Sequence, residues 1–174
     1  MSTGTRHTAK DAVAAALQVV DALRPHVDRI VVAGSLRRRC LDVGDIEIVI
    51  IPKPYEVGLF GSGIATVLEP MEKVKGDLGP GCRYTKRIHQ PSGIAIDVFM
   101  AKPKNWGYIL AIRTGSAEFS KWLASMWVKK GYHGVDGYLM KGRNIITVPE
   151  EERLFELLGL QYIEPWKRNN CPVY

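Results

Sequence analysis

The stretch VVAGSLRRRCLDVGDIEIVIIP, residues 31–52, places two acids inside a run that otherwise has the composition of a buried strand. Asp45 and Glu47 stand two residues apart. Because successive side chains of a strand alternate between its two faces, we expect both acids to project from the same face. Ile46 and Ile48 would then anchor the other face in the core. Alternation alone also permits a solvated acidic face, but the apolar residues on both sides of the acids disfavour it.

The charge of these acids calls for compensation. Two carboxylates held together in a partly dry site repel one another unless a cation lies between them, and the usual cations are Mg²⁺ or Mn²⁺. Asp97, in the apolar stretch IAIDVFM, adds a third acid if its strand lies beside the first. Three converging carboxylates can hold two ions roughly 3.5–4 Å apart, a geometry suited to phosphoryl transfer. Asp45, Glu47 and Asp97 are therefore predicted to be catalytic metal ligands.

A Gly-Ser turn precedes the acids. Gly34 lets the chain turn tightly off a strand, and Ser35 would open a short helical turn whose N–H groups face outward toward an anion. The arginines at 37–39 are open to two interpretations, a solvated face or planar donors to phosphate oxygens. Because the arginines stand next to the paired acids, the second interpretation is favoured. A phosphate-binding turn beside a two-metal carboxylate site is the arrangement that binds a nucleoside triphosphate.

The remaining pattern predicts an α+β fold with a mixed sheet that carries the acids, followed by a small lobe of helices and a hairpin. Residues 1–8 are expected to be a flexible tail, and Thr8 is predicted to cap a helix that ends at Pro25. Predicted strands cover residues 28–34, 43–52, 82–90 and 93–101, and the last two are joined by a turn at PSG. Between them, residues 53–82 are loop-rich, although GIATVLEPMEKV favours a helix.

The second half of the chain begins with a helical pattern that Ser116 would cap and Gly131 would end. Its apolar stripe consists of Phe119, Trp122, Leu123, Met126 and Trp127. Such a stripe can be a platform for base stacking, but core packing is the commoner cause. Two short strands around Gly142 and a final helix in PEEERLFELLG follow.

Composition limits the class of protein. The net charge of +6 favours a polyanionic partner without requiring one. Three scattered cysteines, Cys40, Cys82 and Cys171, indicate reduced thiols rather than a disulfide framework. No apolar run has the length of a membrane span, and the N-terminus has no secretory signal pattern. We therefore expect a cytoplasmic protein that is not secreted and has no membrane partner, with the nucleoid or a virus-infected cell as alternative locations. We also expect a monomer.

Gly34-Ser35 followed after nine residues by Asp-Ile-Glu-Ile resembles the signature of the polymerase-beta-like nucleotidyltransferase superfamily. Two later stretches narrow the resemblance. RTGSAEFSKWLASMWVKKGY is similar to the segment of family X DNA polymerases in which a Thr-Gly-Ser turn opens the helix over the nascent base pair, and LLGLQYIEPWKR is similar to their closing segment. The resemblance spans roughly residues 10–168. It implies a nucleotidyltransferase palm over 9–104 and a nascent-base-pair-binding lobe over 105–174.

The resemblance also implies an activity. A primer 3′-hydroxyl would attack the α-phosphate of a dNTP with the help of two Mg²⁺ or Mn²⁺ ions, and pyrophosphate would leave. Asp97 matches the acid that lies nearest the attacking oxygen. Residues matched to nucleotide binding are Gly34, Ser35, Arg38, Gly44, Thr114, Gly115, Ser116 and Ser120. Lys121 matches a lysine near the template base, and the candidates for contacts with the DNA backbone are Lys86, Arg87, Lys129 and Lys130.

Departures from the family pattern carry their own expectations. Ile112-Arg113 precede the Thr-Gly-Ser turn, where members often have an aromatic residue at the sugar. Ser120 and Ala124 stand where many members have an Asn and an Arg that check the nascent pair, so we expect low fidelity. We also expect a minimal form without the N-terminal lyase and helix-hairpin-helix lobes.

Three functions remain open on the sequence alone. The leading one is templated filling of short DNA gaps in repair or end joining. The second is nucleotidyl transfer without a template, or to a protein or small molecule. The third is an inactive DNA-binding module, which the presence of all three acids disfavours.

Overall fold

The computed structural model describes residues 5–54, 63–79 and 81–172. The chain folds as two compact units, Met1–Met100 and Ala101–Tyr174. The combination of a mixed sheet with flanking helices confirms the predicted α+β class. Among the described residues, none of the helices has both the length and the apolar character that crossing a membrane requires. Cys40, Cys82 and Cys171 are free cysteines.

Helix α1, Ala9–Leu23, opens the first unit. Thr8 is its N-cap as predicted, and its hydroxyl accepts a hydrogen bond from the Asp11 N–H. The helix ends two residues before Pro25, and a 3₁₀ turn continues over Arg24–His26. The expected tail is partly structured, because His7–Thr8 form strand β1 and pair with β3, Asp42–Val43. Residues 1–4 lie outside the described part of the chain.

A five-stranded sheet forms the body of the first unit, in the order β2-β4-β7-β6-β5. Its strands are β2 Val27–Val32, β4 Ile46–Pro52, β5 Glu72–Gly76, β6 Tyr84–Ile88 and β7 Ala95–Met100. The central pair β4–β7 is parallel and the other pairs are antiparallel. The predicted hairpin around PSG is therefore confirmed as β6–β7. The helix expected over GIATVLEPMEKV covers only Gly63–Leu68, as α3, and the chain then enters β5. Residues 53–82 are predicted to be rich in loops, and part of this stretch, residues 55–62 and 80, lies outside the described residues.

The two faces of this sheet have different roles. On one face Ile46, Ile48 and Ile96 are fully buried against α1 and α3. Alternation then sends Glu47 and Asp97 to the opposite face, as the sequence predicts. Slipping β4 by one residue would exchange the isoleucines for the acids, so burial of the isoleucines fixes where the acids point.

The second unit is built from helices and a small sheet. The helices are α4 Trp106–Thr114, α5 Ala117–Lys129 and α6 Glu151–Leu158, and the three-stranded antiparallel sheet comprises β8 His133–Val135, β9 Tyr138–Lys141 and β10 Asn144–Ile146. Ser116 caps α5 as predicted, accepting from the Phe119 N–H at 3.1 Å. Gly159 ends α6 in the left-handed conformation, at φ +69°.

The apolar stripe of α5 is core rather than an open stacking platform. Phe119 and Leu123 are completely buried and Trp127 nearly so. Trp122 and Met126 are half-buried and pack against the same cluster. Core packing, the commoner cause of such a stripe, is therefore its cause in this helix.

A buried ion pair lies in this core. Arg168 is fully buried and its Nη1 donates to the Glu151 carboxylate, while its Nε donates to the Ile163 carbonyl at 2.7 Å. Tyr162 donates its hydroxyl proton to the same carboxylate at 3.2 Å, and the guanidinium carbon lies 5.1 Å from the centre of the Tyr162 ring. The Arg168 carbonyl in turn accepts from the Ser116 N–H at 3.0 Å. The pair thus ties the end of the chain to the start of α5.

Replacing Glu151 tests how much this pair contributes. We expect Glu151→Ala to lower the free energy of unfolding by about 3–5 kcal/mol, because it leaves a guanidinium buried without its counter-charge. Glu152→Ala removes an exposed acid from the same helical turn and should cost less than about 1 kcal/mol. Denaturant unfolding of both variants measures the difference. Equal losses would mean that Arg168 is not held by Glu151.

Candidate active site

Three charged residues line up across three neighbouring strands of the first unit. Glu47 on β4 is the register partner of Asp97 on β7, and Asp97 is the register partner of Lys86 on β6. Register partners on adjacent strands present their side chains to the same face. The sheet thus gathers two of the predicted acids and one predicted DNA-contacting lysine into one row.

Asp45, immediately before β4, joins this row through Lys86. The Lys86 Nζ lies 2.9 Å from Asp97 Oδ2 and 3.3 Å from Asp45 Oδ2, so one ammonium bridges two carboxylates. The side chain of Asp97 is 8% exposed, whereas that of Asp45 is 42% exposed. The hydroxyl of Tyr84, two residues before Lys86 on β6, donates to Asp97 Oδ1. Both oxygens of Asp97 are therefore held by groups from β6.

The electrostatics of the cluster follow from its burial. Burial raises the pKa of the Asp45 carboxyl, the negative charge of Asp97 raises it further, and the Lys86 ammonium opposes the rise. Burial disfavours the charged form of Lys86, but the hydrogen bond to Asp97 and the charges of both acids outweigh it and raise the pKa of Lys86. The lysine therefore stays protonated at neutral pH and supplies the positive charge that this pair of acids requires.

The donor set suits a divalent cation. Within residues 5–54, 63–79 and 81–172, no group of three or more Asp, Glu, His or Cys side chains is arranged so that it could hold a metal ion. Two carboxylates nevertheless converge on a single cation, the Lys86 ammonium, and carboxylate oxygens are the ligands that Mg²⁺ and Mn²⁺ prefer. Asp45 and Asp97 fit the predicted metal role in this respect.

The third acid, Glu47, lies against the Gly-Ser turn. Gly34 has φ +60°, and a Cβ built on it would come within 2.1 Å of Glu47 Oε2. The Ala33 N–H also donates to the Glu47 carbonyl at 2.7 Å. A glycine is therefore required at 34 both by the backbone conformation and by the close approach of the glutamate.

The predicted anion cradle is a single helical turn, α2, Gly34–Arg37. Ser35 and Arg38 are half-buried at this turn, and the Arg38 N–H donates to the Gly34 carbonyl at 3.1 Å. The first N–H groups of such a turn have no acceptor within it. Gly44, in the link before β4, is exposed.

The remaining nucleotide candidates belong to the second unit. Thr114 ends α4 and is fully buried, Gly115 follows it, and Ser116 caps α5. A Cβ at Gly115 would lie 2.6 Å from the Phe119 ring, so the turn needs a glycine for reasons of space. The Ser120 hydroxyl donates to the Ile112 carbonyl at 2.9 Å, which fixes its direction.

The predicted DNA contacts divide into two groups. Lys121, Lys129 and Lys130 are exposed on and just after α5, as a contact with DNA requires. Arg87 is 6% exposed and its Nε donates to Thr85 Oγ1 at 3.1 Å, so a DNA contact would require the side chain to leave this position. Lys86 is engaged by the acids.

Two features of the site were not predicted from the sequence. The hydrogen bond from Tyr84 and the bridging position of Lys86 both depend on β6 lying beside β7. A signal was nevertheless available in YTKRI, because alternation places Tyr84 and Lys86 on one face of their strand. The predicted hairpin would have brought that face next to Asp97.

Comparison with known proteins supports the resemblance. Residues 109–169 match the protein-family model described as DNA polymerase beta thumb. The chain is also 32% identical over 104 residues to a protein of Saccharomyces cerevisiae described as DNA polymerase IV. The aligned region is 60% of this chain and 16% of the yeast protein, so the chain corresponds to a small part of that relative. On these matches, the chain is similar to family X DNA polymerases over part of its length.

The crowding at the Gly-Ser turn can be measured by adding one methyl group. Gly34→Ala should lower the free energy of unfolding by more than the ~1–2 kcal/mol of a left-handed alanine, because the Glu47 carboxylate must also move. Gly142→Ala is the matched control: Gly142 has φ +58° and nothing within 4 Å of a built Cβ. Denaturant unfolding compares the two variants. Equal losses would contradict the close approach of Glu47.

Proposed function

We propose that this chain is a DNA-directed DNA polymerase of the family X type, which adds dNTPs to a primer 3′-hydroxyl at short gaps in repair or end joining. The observation that carries the proposal is that Asp45 and Asp97 converge on one positive charge, the Lys86 ammonium. The third acid, Glu47, packs against the turn at Gly34. The match of residues 109–169 to the polymerase beta thumb supports DNA as the acceptor.

In this proposal the acids have distinct positions. Asp45, Glu47 and Asp97 would hold two Mg²⁺ or Mn²⁺ ions, whose charge would stabilise the attacking and leaving oxygens of the transfer. Asp97 lies nearest the primer hydroxyl, and the hydrogen bond from Tyr84 fixes the direction of its carboxylate. The isoleucines on the buried face keep both strands from slipping, so the acids meet the substrate without rearrangement of the sheet.

Each unit contributes its own candidates for nucleotide binding. Ser35, the first N–H groups of α2 and Arg38 bind the triphosphate, which suits their position at the turn. The turn at residues 114–116 lies against the sugar and base. Ser120 has already used its hydroxyl proton on the Ile112 carbonyl, so it can only accept a hydrogen bond from a base edge. This limited capacity supports the expectation of low fidelity.

Exposed lysines of the second unit bind the DNA backbone. Lys129 and Lys130 lie on a solvated surface, where each phosphate contact releases counterions, and Lys121 is the candidate for a contact near the template base. Such contacts position the duplex but do not read its sequence. The base pair is then checked mainly by its fit against the turn and the start of α5.

Incorporation assays test the reaction. With Mg²⁺, the protein should add one nucleotide to a one-nucleotide gap, and the templated dNTP should be preferred by a modest factor over the other three. Asp97→Asn should lower the rate at least about hundredfold while DNA binding is retained. Asp28→Asn is the control, because Asp28 is an exposed acid on β2 outside the site.

The same assay separates the alternatives. Equal incorporation on a single strand and on the gapped duplex would contradict templating and favour an end-adding enzyme. Incorporation by Asp97→Asn at the wild-type rate would contradict the proposed site. DNA binding without incorporation on any acceptor would indicate the inactive module.

Salt titration tests the DNA surface. Lys129→Ala should weaken binding by a similar factor on every DNA sequence and lower the slope of log K against log [salt] by about 1. Fluorescence anisotropy with a labelled gapped duplex measures the slope. Lys10→Ala removes an exposed lysine of α1 and should leave it unchanged. An unaltered slope for Lys129→Ala would remove that residue from the DNA surface.

A further inference from the structure

Lys86 lies in contact with two acids of the candidate active site. Its Nζ contacts one oxygen of Asp45 and one of Asp97, and its side chain is 26% exposed. Asp97 Oδ1 is engaged by Tyr84, and Lys86 contacts the other Asp97 oxygen, Oδ2. The two oxygens that converge are therefore both satisfied by the lysine.

A metal ion and this ammonium cannot share those oxygens. Mg²⁺ binds carboxylate oxygens at about 2.0–2.1 Å, so an ion between Asp45 and Asp97 would lie close to the present position of Nζ. Like charges at such a separation repel strongly in a partly buried site. Binding of the ion through these atoms requires the lysine to withdraw.

We propose that Lys86 is an internal counter-cation that fills the cation position between Asp45 and Asp97 and is displaced when a divalent ion binds. The proposal rests on the metal-dependent transfer proposed above, and assigns Lys86 a positioning role within it. The lysine keeps two mutually repelling carboxylates together before the ion arrives. It also sets the concentration of metal that the site needs, because part of the binding free energy is used to break its ion pairs.

The surroundings of Lys86 give the displaced side chain a place to go. A cavity of about 440 Å³ adjoins the cluster, and Lys86 and Asp45 both form part of its wall, together with Gly44 and Gly93. Arg6 and His7 also line it. A long, flexible lysine can swing into this space by changing side-chain rotamers alone, with no movement of β6.

Titration with Mn²⁺ alone, without DNA or nucleotide, tests displacement on the full chain. Lys86→Met keeps the length of the stem but removes the competing charge, and should bind Mn²⁺ about fivefold more tightly than the wild type, the equivalent of one weak ion pair. Lys10→Met removes an exposed lysine of α1 and should bind as the wild type does. Calorimetry or the electron paramagnetic resonance signal of free Mn²⁺ gives the dissociation constants.

A second measurement separates displacement from a simple loss of charge, and needs no variant to fold. Acetylation by an N-hydroxysuccinimide ester, followed by peptide mass spectrometry, reports the accessibility of each lysine amine. Adding Mn²⁺ to the wild type should raise the acetylation rate of Lys86 severalfold and leave that of Lys10 unchanged.

Each outcome bears on the proposal. Equal Mn²⁺ affinity in wild type and Lys86→Met, or an unchanged acetylation rate at Lys86 on saturation, would overturn displacement while leaving the metal-dependent reaction standing. Absence of Mn²⁺ binding in both proteins would overturn displacement and the metal part of the proposed function together. Tighter binding with a raised acetylation rate supports it.

Discussion

The register of the parallel pair β4–β7 determines the chemistry that the first unit can offer. Glu47 is the register partner of Asp97 in this pair of strands. The isoleucines next to these acids along each strand are buried on the opposite face of the sheet. Charge and apolar surface thus alternate along the same two strands, and neither can be moved without the other. The cost of burying a carboxylate is several kcal/mol, which makes any slipped register unfavourable. Packing of the core and positioning of the acids are therefore the same constraint.

Local sequence rules account for much of this architecture. The caps at Thr8 and Ser116, the acidic strand and the hairpin all depend on residues close together in the chain. The elements that escaped prediction have other causes. Strand β5, with one valine among charged residues, is an exposed edge that forms because β6 offers it hydrogen bonds. Helix α4 is buried on most sides and so lacks the apolar stripe that reveals a surface helix.

The site shows the same division. A metal role for the three acids stays a prediction. The shared face of Glu47 and Asp97 and the turn at Gly34 could be predicted, because both follow from residue types and spacing along the chain. The partner of the acids could not, because Lys86 lies 41 residues from Asp45 and 11 from Asp97, and only the order of strands brings them together. A lysine in a strand is usually solvated, and so is an arginine near a chain end. Lys86 and the buried Arg168 instead form ion pairs with acids that are distant in the sequence.

The place of the acidic strands within the sheet has a consequence for its motions. Both β4 and β7 have a hydrogen-bonded neighbour on each side, whereas β2 and β5 lie at the edges. Opening of a sheet proceeds from its edges, and the interior strands open only in the rarest and most complete fluctuations. Fraying of β5 can thus occur many times without disturbing the separation of the carboxylates. The geometry on which the proposed chemistry depends is held in the part of the unit that should exchange its amide hydrogens last.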